Sequence, residues 1–443
     1  MTESSWLIKG GHVVDPANAF DSPADVLVRS GQIEAVGSDL NAAGVPVVDA
    51  SGLVVAPGLI DLHVHLREPG FEHKETIATG TAAAAAGGFT SICCMPNTQP
   101  ALDSVEALDD LRARVARHAV VRVFPIGAIT INRAGEEAVD FPALAAAGAI
   151  GFSDDGDTTR DSGIMRQALE WSRELGFPIM VHCEDNSLAL GAMNEGEVSR
   201  LLCISGIPPE AEEIIIARDI ILARLTGGWL HLCHVSTARG AAMARAAKSE
   251  GLSVTAEVMP HHLVMTDEWV AGSRSLVNVV EPAGKSGTPG DPDTKVNPPL
   301  RTLPDAKALL ASLVDGTFDI VATDHAPHAT TEKQGRSFED APFGLSGLEF
   351  ALPSMLALVR AGHLSLRDLI YRLSTVPARL LRIKAGALTP GFPADVVIFD
   401  QTATWRVEAG TLRSKSANTP LLGMELTGRV VQTLVDGEVR FDG

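Results

Sequence analysis

The sequence predicts an α/β fold, a (β/α)8 TIM barrel joined to a small β-sandwich domain that is formed from both chain ends. Eight apolar runs alternate with helical stretches through the middle of the chain, and short Val- and Ile-rich runs occupy its two ends. Alternating strands and helices are typical of a closed parallel barrel, which takes about 250 residues. The 443 residues therefore accommodate one barrel and one smaller domain.

The two chain ends consist of short predicted strands separated by Gly, Asp and Pro. The first end contains WLIKGGHVV, DVLVRSGQIEAVG and PVVDASGLVVAPG, and the second contains GFPADVVIFD, ATWRV and GRVVQTLVDGEVRFDG. Neither end is long enough to bury a good core alone, so we expect both to pair in one β-sandwich. The predicted division assigns residues 1–56 and 386–443 to the sandwich and residues 57–385 to the barrel.

Eight candidate barrel strands lie between these ends. In order they are GLIDLHVH, TSICCMPN, VVRVFPIGA, AIGFSDDG, PIMVHCED, WLHLCHVS, SVTAEVMPHH and FDIVATDHAP. Continuous apolar runs are typical of parallel strands covered on both faces. Helices are predicted at 106–117, 164–175 and 209–225, and an Ala-rich helix stopped by Gly87-Gly88 precedes the second strand.

Two long segments rich in glycine are predicted outside the regular elements. The segment 272–299 is rich in Gly, Pro and Asp, and loops of that length are usually functional covers or disordered. The segment 335–347 is expected to form a mobile cover over the site.

Charge and cysteine content narrow the class of protein. The net charge of −19 argues against a nucleic-acid or anionic-membrane partner, although one local arginine can still bind a small anionic substrate. The start of the chain lacks the basic and apolar regions of a signal peptide. The five cysteines lie in or near apolar runs and form no CxxC pair, which indicates a reduced, cytoplasmic protein. Cys93, Cys94 and Cys183 are expected to be core residues.

Histidine and aspartate collect at the ends of the predicted strands. These residues are His63 and His65 on the first strand, Asp154 and Asp155 on the fourth, His182 on the fifth, His234 on the sixth and Asp324 on the eighth. Each alone is explained as a turn, a helix cap or a buried hydrogen-bonded residue. Barrel active sites lie at the carboxyl ends of the strands, so these side chains are expected to share one small volume. Because buried carboxylates need compensation, the set predicts a divalent metal site.

The type of ligand indicates the metal. Imidazole and carboxylate without thiolate suit Zn²⁺, with Mn²⁺ or Co²⁺ as substitutes. Six ligands are too many for one tetrahedral zinc, and they fit two metals that share a bridging carboxylate and a hydroxide. A single metal is the alternative.

A series of motifs runs in order over most of the chain. It consists of PGLIDLHVHLREPG, CCMPNT, FSDDG, HCEDN, HVST, MPHHL, KVNPPLR and TDHAPH. The series resembles that of the class I dihydroorotases in the amidohydrolase superfamily, and the β-rich ends resemble the small sandwich of that family. The resemblance implies zinc-dependent, reversible hydrolysis of the cyclic amide of (S)-dihydroorotate to N-carbamoyl-L-aspartate, in de novo pyrimidine biosynthesis.

The resemblance also implies a role for each site residue. According to the resemblance, His63 and His65 would hold one zinc ion, and His182 and His234 would hold the other. Asp155 and a hydroxide would bridge the two ions. Asp324 would ligate a metal and act as the catalytic base. The implied substrate-binding residues are His65, Arg67, Asn97, Asn297, His328, Phe343 and Gly344.

Some assignments keep an alternative. Many relatives in the superfamily bridge their metals with a carboxylated lysine on strand four, whereas this strand ends in Ser153-Asp154-Asp155. That departure favours the class I dihydroorotase branch, although Asp154 could exchange roles with Asp155. An ion pair with Glu68 or another barrel acid is the structural alternative for Arg67. His261 and His262, at the end of strand seven, are expected to support the site by hydrogen bonds.

Two other functions stay open, and so does the assembly. One is a cyclic amidase of the hydantoinase or allantoinase kind, with the same chemistry on another ring. The other is a non-catalytic scaffold for aspartate transcarbamoylase, which the filled ligand positions oppose. A homodimer is the default expectation, and association with aspartate transcarbamoylase is left open.

Overall fold

The computed structural model describes residues 4–41, 44–280 and 286–443. Residues 281–285 of the predicted cover segment 272–299 lie outside the described residues. No helix in the described ranges is long and apolar enough to cross a membrane.

The strands of these ranges are numbered in chain order. They are β1 (Trp6–Asp15), β2 (Phe20–Arg29), β3 (Gln32–Gly37), β4 (Val47–Asp49), β5 (Val54–Pro57), β6 (Leu59–Val64), β7 (Phe89–Cys94), β8 (Arg122–Pro125), β9 (Ile179–Val181), β10 (Met193–Asn194), β11 (Gly206–Ile207), β12 (Leu230–Leu232), β13 (Val254–Val258), β14 (Ile320–Val321), β15 (Val396–Arg406), β16 (Glu425–Val435) and β17 (Glu438–Asp442).

The α-helices are numbered in the same way. They are α1 (Ile77–Ala86), α2 (Val105–His118), α3 (Phe141–Ala146), α4 (Ser162–Leu175), α5 (Glu197–Leu202), α6 (Glu210–Thr226), α7 (Ala238–Ser249), α8 (Pro260–Val264), α9 (Leu303–Val314), α10 (Thr330–Lys333), α11 (Ala351–Arg360), α12 (Leu366–Ile370) and α13 (Val376–Leu381). The helices predicted at 106–117, 164–175 and 209–225 are α2, α4 and α6, with bounds that differ by one or two residues.

The barrel is a ring of parallel segments that closes on itself. β6, β7 and β8 pair in parallel, as do β9, β12, β13 and β14. The ring closes where Val64 pairs with His325, because His65 N donates a hydrogen bond to His325 O at 2.9 Å. All eight predicted runs take their expected places in this ring, and the predicted barrel is confirmed.

The fourth barrel segment differs from the others because it forms no continuous strand. Phe152 pairs in parallel with Gly127 on one side and with Ile179 on the other. Its flanks still hydrogen bond, since Ser153 N donates to Gly127 O at 2.8 Å and Met180 N donates to Phe152 O at 2.8 Å. The chain leaves the strand directly afterwards, so two adjacent aspartates emerge at the barrel mouth.

The Ala-rich helix before the second barrel strand forms as predicted. α1 begins after Thr76, whose side chain accepts a hydrogen bond from Thr79 N at 3.2 Å. It ends at Gly87 and Gly88. A Cβ on Gly87 would lie 2.2 Å from the Leu348 carbonyl oxygen, so only glycine lets the chain pass here. Gly88 has a φ of +87° and turns the chain into β7.

Both chain ends form one sheet, as predicted. Its strand order is β17-β16-β15-β5-β1-β2-β3, with β4 paired to β1. The two ends meet where β15 runs antiparallel to β5, from the pair Val396 and Pro57 to the pair Phe399 and Val54. The predicted separate strand ATWRV is instead the last part of β15, which continues through an irregularity between Asp400 and Thr404.

Three cysteines occupy the core positions that were predicted for them. All five are free, and Cys93, Cys94 and Cys183 are buried as predicted. Cys93 packs in a cluster with Ile60, Leu62, Met180 and other apolar side chains from several barrel strands. This cluster forms a packed apolar layer within the barrel.

Candidate active site at the barrel mouth

Asp155 lies at the centre of a group of imidazoles. Its Oδ1 is 3.4 Å from His63 Nε2, 3.4 Å from His234 Nε2 and 3.7 Å from His182 Nδ1. Its Oδ2 is 3.4 Å from His65 Nε2. All five side chains are buried. Three strand ends therefore place four imidazole nitrogens around one carboxylate from a fourth strand end.

Asp324 lies on the side of this group that holds His63 and His65. Its Oδ1 is 3.0 Å from His65 Nε2 and 3.7 Å from His63 Nε2. Burial alone raises the pKa of Asp324, but the bond to His65 and the charge of His63 outweigh it and lower that pKa to about 2. Asp324 is therefore a carboxylate at neutral pH and can accept a proton.

The second pair of imidazoles is in direct contact. His182 Nδ1 and His234 Nε2 lie 2.9 Å apart. Nitrogens this close share a proton or face a common cation. His182 Nε2 points the other way, 3.5 Å from the carboxylate of Glu184.

The structure distinguishes the two adjacent aspartates at the fourth strand end. The carboxylate of Asp154 accepts hydrogen bonds from Ile129 N, Thr130 N and the hydroxyls of Thr130 and Thr159, at 2.8 to 3.0 Å. The Asp154 carboxylate therefore stabilises the loop at Ile129 and Thr130 and is directed at that loop rather than at the imidazoles. Asp155 Oδ1 is buried without a hydrogen-bond partner. The geometry favours Asp155 as the central carboxylate.

Three site residues have a backbone in the left-handed region. The φ angles are +63° at Arg67, +33° at His234 and +48° at Asp324. Side-chain-bearing residues pay for such conformations, which persist where the surrounding structure imposes them and cluster at functional sites. All three follow a barrel strand at the point where the chain turns outward.

The polar atoms at the centre fit a divalent cation. His63 Nε2 and Asp155 Oδ1 are both buried and lack hydrogen-bond partners, an arrangement that is costly unless another group satisfies them. Burial by itself lowers the pKa of His63, but Asp155 and Glu257 outweigh it and raise that pKa well above its ordinary value. The surroundings thus favour positive charge. Two overlapping ligand groups, His63 with His65 and Asp324 and His63 with Asp155 and His234, are compact enough to hold an ion.

Glu257 is a site residue that the sequence reasoning missed. Its Oε1 lies 2.6 Å from His63 Nδ1, and its Oε2 lies 3.2 Å from His231 Nε2. An Nδ1–H donor toward Glu257 leaves the lone pair of His63 Nε2 free for a metal, an arrangement common among metal-binding histidines. The available signal was a lone carboxylate within the apolar run SVTAEVM of β13.

The predicted substrate residues line one cavity together with the predicted metal ligands. Its volume is about 190 Å³. The predicted substrate residues in its wall are His65, Arg67, Asn97, Asn297, His328, Phe343 and Gly344. The wall also contains Asp155, His182, His234 and Asp324, while His63 lies beneath it, fully buried. The structure brings all of these residues together, whereas their individual roles stay predictions.

Arg67 gives one side of this cavity a positive charge. The ion pair with Glu68, one of its structural alternatives, does not form, since Glu68 pairs with Arg114 at 3.0 Å. Arg67 Nε donates to Pro327 O at 3.2 Å. Burial lowers the pKa of Arg67 to about 10, against the opposing effect of Asp324 and Asp155, so the guanidinium stays charged at neutral pH. Its remaining donors can take up an anionic group.

Asn97 and Asn297 contact two of the predicted metal-ligand histidines. Asn97 Oδ1 lies 2.9 Å from His65 Nδ1. Asn297 Nδ2 donates to Glu184 Oε2 at 3.0 Å and lies 3.4 Å from His182 Nε2. The predicted substrate residues and the predicted ligands therefore form one connected polar network.

His261 and His262 lie just after strand β13, in the short helix α8 rather than at the strand end itself. His262 Nε2 donates to Pro298 O at 3.0 Å, next to Asn297. This contact is of the supporting kind that was expected. His261 Nε2 is buried without a hydrogen-bond partner, so the same expectation does not hold for that ring.

The fold and this site define an amidohydrolase, and solved structures show the same class. The L-hydantoinase (dihydropyrimidinase) from Arthrobacter aurescens matches with a TM-score of 0.84 and 26% identity, over 98% of this chain and 95% of that one. The dihydropyrimidinase from Brevibacillus agri matches with a TM-score of 0.83 and 25% identity, over 98% and 94%. The barrel and the sheet formed from both ends are thus common to these cyclic amidases.

Comparison with protein sequences identifies the family within this class. A family model described as "Dihydro-orotase-like" matches residues 52–240. Proteins named dihydroorotase are 45% identical in Geobacter sp. (strain M21), over 98% of both chains, and 46% identical in Pelotomaculum thermopropionicum, over 98% of this chain and 97% of that one. The dihydroorotase of Aquifex aeolicus is 43% identical over 98% of both chains. The chain belongs to the dihydroorotase family.

Proposed function

We propose that this chain is a dihydroorotase, which opens the ring of (S)-dihydroorotate to N-carbamoyl-L-aspartate and closes it in the reverse direction. The observation that carries this proposal is the single cavity that a guanidinium, four imidazoles and two carboxylates share at the barrel mouth. Full-length identity to proteins named dihydroorotase supports the substrate.

We propose that the site holds two Zn²⁺ ions, with Asp155 between them. His63, His65 and Asp324 would hold one ion, and His182 and His234 the other. The unpartnered atoms His63 Nε2 and Asp155 Oδ1 support this assignment. Bound zinc polarises a carbonyl and makes water acidic enough to react near neutral pH.

Asp324 is proposed to move the proton of the reaction. Hydrolysis adds water across the ring amide, breaks its C–N bond and leaves a ureido N–H and a carboxylic acid, which releases its proton to solvent as it becomes a carboxylate. The nitrogen needs a proton before it can leave, and the water must give one up. The carboxylate of Asp324 accepts this proton from water and returns it to the nitrogen. Ring closure uses the same oxygen in the opposite order.

Arg67 is proposed to bind the substrate carboxylate, with Asn97 and His328. A guanidinium offers two parallel donors to a carboxylate. The Arg67 side chain lies in the wall of the cavity, with its Nη2 3.5 Å from His328 Nε2. The Phe343–Gly344 backbone would complete the enclosure, and Asn297 would contact the ring from the His182 side.

The wider setting of the enzyme follows from the same proposal. We place the reaction in pyrimidine biosynthesis and the protein in the cytoplasm, in line with its five free cysteines. The homodimer remains our expectation for the assembly, and association with aspartate transcarbamoylase stays open. The domain division at 1–56, 57–385 and 386–443 remains a proposal that agrees with the position of the sheet.

A substrate panel tests this function. The zinc-loaded protein should turn over dihydroorotate and leave hydantoin and allantoin nearly untouched, because the latter two lack a carboxylate for Arg67. Arg67→Met should raise the KM for dihydroorotate roughly 10- to 100-fold, as loss of a charged hydrogen-bonded pair costs about 1.5–3 kcal/mol.

The rival candidates give other outcomes in the same panel. A hydantoinase, the kind of enzyme named in the similar solved structures, would turn over hydantoin faster, and Arg67→Met would not matter. A non-catalytic scaffold would turn over none of the three substrates after zinc loading. Arg67→Lys is the matched control, since it keeps the charge but loses the bidentate geometry.

A further inference from the structure

Lys74 lies behind one of the predicted substrate residues and is not in the wall of the cavity. Its Nζ is 3.4 Å from His328 Nδ1 and 3.2 Å from Glu332 Oε1. It also lies 5.5 Å from the centre of the Phe71 ring. Only 17% of the side chain is exposed. The ammonium group is thus held in place by three neighbours and directed at the rear nitrogen of His328.

The front nitrogen of His328 has a partner that can only accept. His328 Nε2 lies 2.7 Å from the carbonyl oxygen of Phe343. Arg67 Nη2, which can only donate, lies 3.5 Å from the same nitrogen, at the limit of hydrogen-bond distance, so the carbonyl is the stronger partner. A carbonyl oxygen has no proton to donate, so a bond at this distance requires a proton on Nε2. In the neutral ring, Nδ1 must then be an acceptor. The ammonium group of Lys74 has three donors and no lone pair, so it can donate one hydrogen bond to His328 Nδ1.

Glu332 offers the opposite arrangement from slightly farther away. Its Oε2 is 3.7 Å from His328 Nδ1 and accepts a hydrogen bond from Ala329 N at 2.9 Å. A carboxylate there would favour a proton on Nδ1. Lys74 lies closer to Nδ1 and pairs with the other oxygen of the same carboxylate, so it offsets that pull.

The ring is kept neutral by its surroundings. Burial lowers the pKa of His328 to about 2, and the positive charges of Arg67, Lys74 and Lys333 act in the same direction. At neutral pH the His328 ring therefore carries a single N–H proton. This proton can be on Nδ1 or on Nε2, and the two forms are the tautomers of the ring.

We propose that Lys74 is a positioning residue that fixes His328 in the tautomer protonated on Nε2, so that the ring presents a donor to the substrate carboxylate beside Arg67. The part concerning the carboxylate rests on the proposed dihydroorotase function, and the part concerning the tautomer does not.

The Phe343–Gly344 turn, in the predicted cover segment 335–347, shows why the proton on His328 Nε2 matters. Gly344 has a φ of +129°, and a Cβ there would lie 2.7 Å from Ala326 O and 3.2 Å from His328 Nε2. The Phe343–Gly344 turn is therefore pressed against the ring, with its carbonyl on the Nε2 proton. An arriving carboxylate can take over this proton. The opposite tautomer would present a lone pair to both the carbonyl and the carboxylate.

Nitrogen NMR of the holoenzyme labelled with 15N-histidine tests the tautomer. The His328 signals are identified by their loss in His328→Gln. We expect a protonated, pyrrole-type Nε2 and an unprotonated, pyridine-type Nδ1 in the wild type, and an averaged or reversed pattern in Lys74→Met. Lys74→Arg should keep the wild-type pattern. A wild type protonated on Nδ1, or an unchanged pattern in folded Lys74→Met, overturns the proposal.

Steady-state kinetics test the consequence for the substrate. Lys74→Met should raise the KM for dihydroorotate about tenfold and change kcat less than about threefold, since a binding donor is lost and the proton-transfer group remains. Lys74→Arg should restore most of the KM. Lys415→Met is the matched control, because Lys415 is an exposed lysine that donates to Glu72 O at 2.5 Å. It should leave both constants unchanged.

The two experiments fail in different ways. An unchanged KM in Lys74→Met, or a kcat that falls as much as kcat/KM, overturns the role in binding. A wild type inactive on dihydroorotate overturns the proposed function, while the NMR pattern still decides the tautomer. If Lys74→Met does not fold, the wild-type pattern and Lys74→Arg decide it.

Discussion

The barrel mouth and the sheet formed by the chain ends bury very different side chains. The sheet buries an apolar cluster that consists of Ile8, Val13, Ala24, Val26, Val28, Ile33, Ala50, Val55, Leu388, Ala394, Val396, Ile398 and Leu434. The barrel mouth buries His63, His65, Asp155, His182, His234, Glu257 and Asp324 just as completely or nearly so.

This contrast indicates that the side chains of the sheet stabilise the fold, whereas those of the barrel mouth serve the chemistry of the site. Each Val, Leu or Ile side chain of this cluster contributes about 1.5–3 kcal/mol through burial, without needing a specific polar partner. Buried charges stabilise a fold only when their partners are in place, and replacing a whole set by apolar groups is often neutral or stabilising. Substitutions in the sheet should therefore change the free energy of unfolding, and substitutions at the mouth should change turnover.

The largest effect on turnover is expected for Asp324→Asn. Loss of the proton carrier should lower kcat roughly 10²- to 10⁴-fold, the usual contribution of general acid–base catalysis. Thermal unfolding should change little, because the amide keeps the shape of the side chain. Stopped assays of zinc-loaded protein measure the first, and calorimetry the second.

The matched control is Asp319→Asn on the same barrel strand. Asp319 pairs with Lys248 at 2.5 Å and accepts from Ala256 N at 2.8 Å, outside the cavity wall. It should affect stability and spare kcat. Near-normal turnover in Asp324→Asn would remove this residue as the base.

A smaller effect is expected for Glu257→Gln. The amide still reaches His63 Nδ1 but no longer attracts its proton, so His63 Nε2 becomes a poorer ligand. Zinc affinity should fall about 10- to 100-fold, as for other residues that orient metal ligands. Zinc retained after dialysis against graded chelator, and turnover restored by added zinc, measure this loss.

Glu174→Gln is the control for that change, because Glu174 pairs with Arg173 at the exposed end of α4. It should keep wild-type zinc affinity. Equal retention of zinc by Glu257→Gln and wild type would show that Glu257 serves stability alone.

The smallest effect on turnover is expected for Ile398→Ala in the sheet. Ile398 is fully buried, and removing its side chain should lower the free energy of unfolding by about 2–5 kcal/mol. The kcat per folded molecule should not change. Ile398→Val should cost only about 0.5–1.5 kcal/mol. Urea unfolding followed by turnover measures both, and a large loss of kcat in folded Ile398→Ala would break the comparison between the two regions.

Much of the fold was predictable because its signals are local. Apolar runs, glycine stops and helix caps depend on residues a few positions apart, and they placed all eight barrel segments and the shared sheet. The fourth segment was harder, because Phe152 pairs on both sides without forming a continuous strand.

The site was predictable in its members but not in its orientation. The positions of His63, His182 and Asp324 at strand ends indicated that they meet. Adjacent residues on a strand face opposite ways, so the choice between Asp154 and Asp155 depended on how the barrel closes. Glu257 and Lys74 escaped notice because their partners lie 194 and 254 positions away in the chain.

The sequence by itself determined the order of strands and helices, the pairing of both ends, and the residue types available at the barrel mouth, since these follow from periodicity and from motifs in a fixed order. Only the tertiary structure decided which carboxylate faces the four imidazoles, that Glu257 holds His63, and that Lys74 stands behind His328. Such contacts are hydrogen bonds of about 3 Å between residues far apart in the chain. The local sequence around each residue therefore does not predict them.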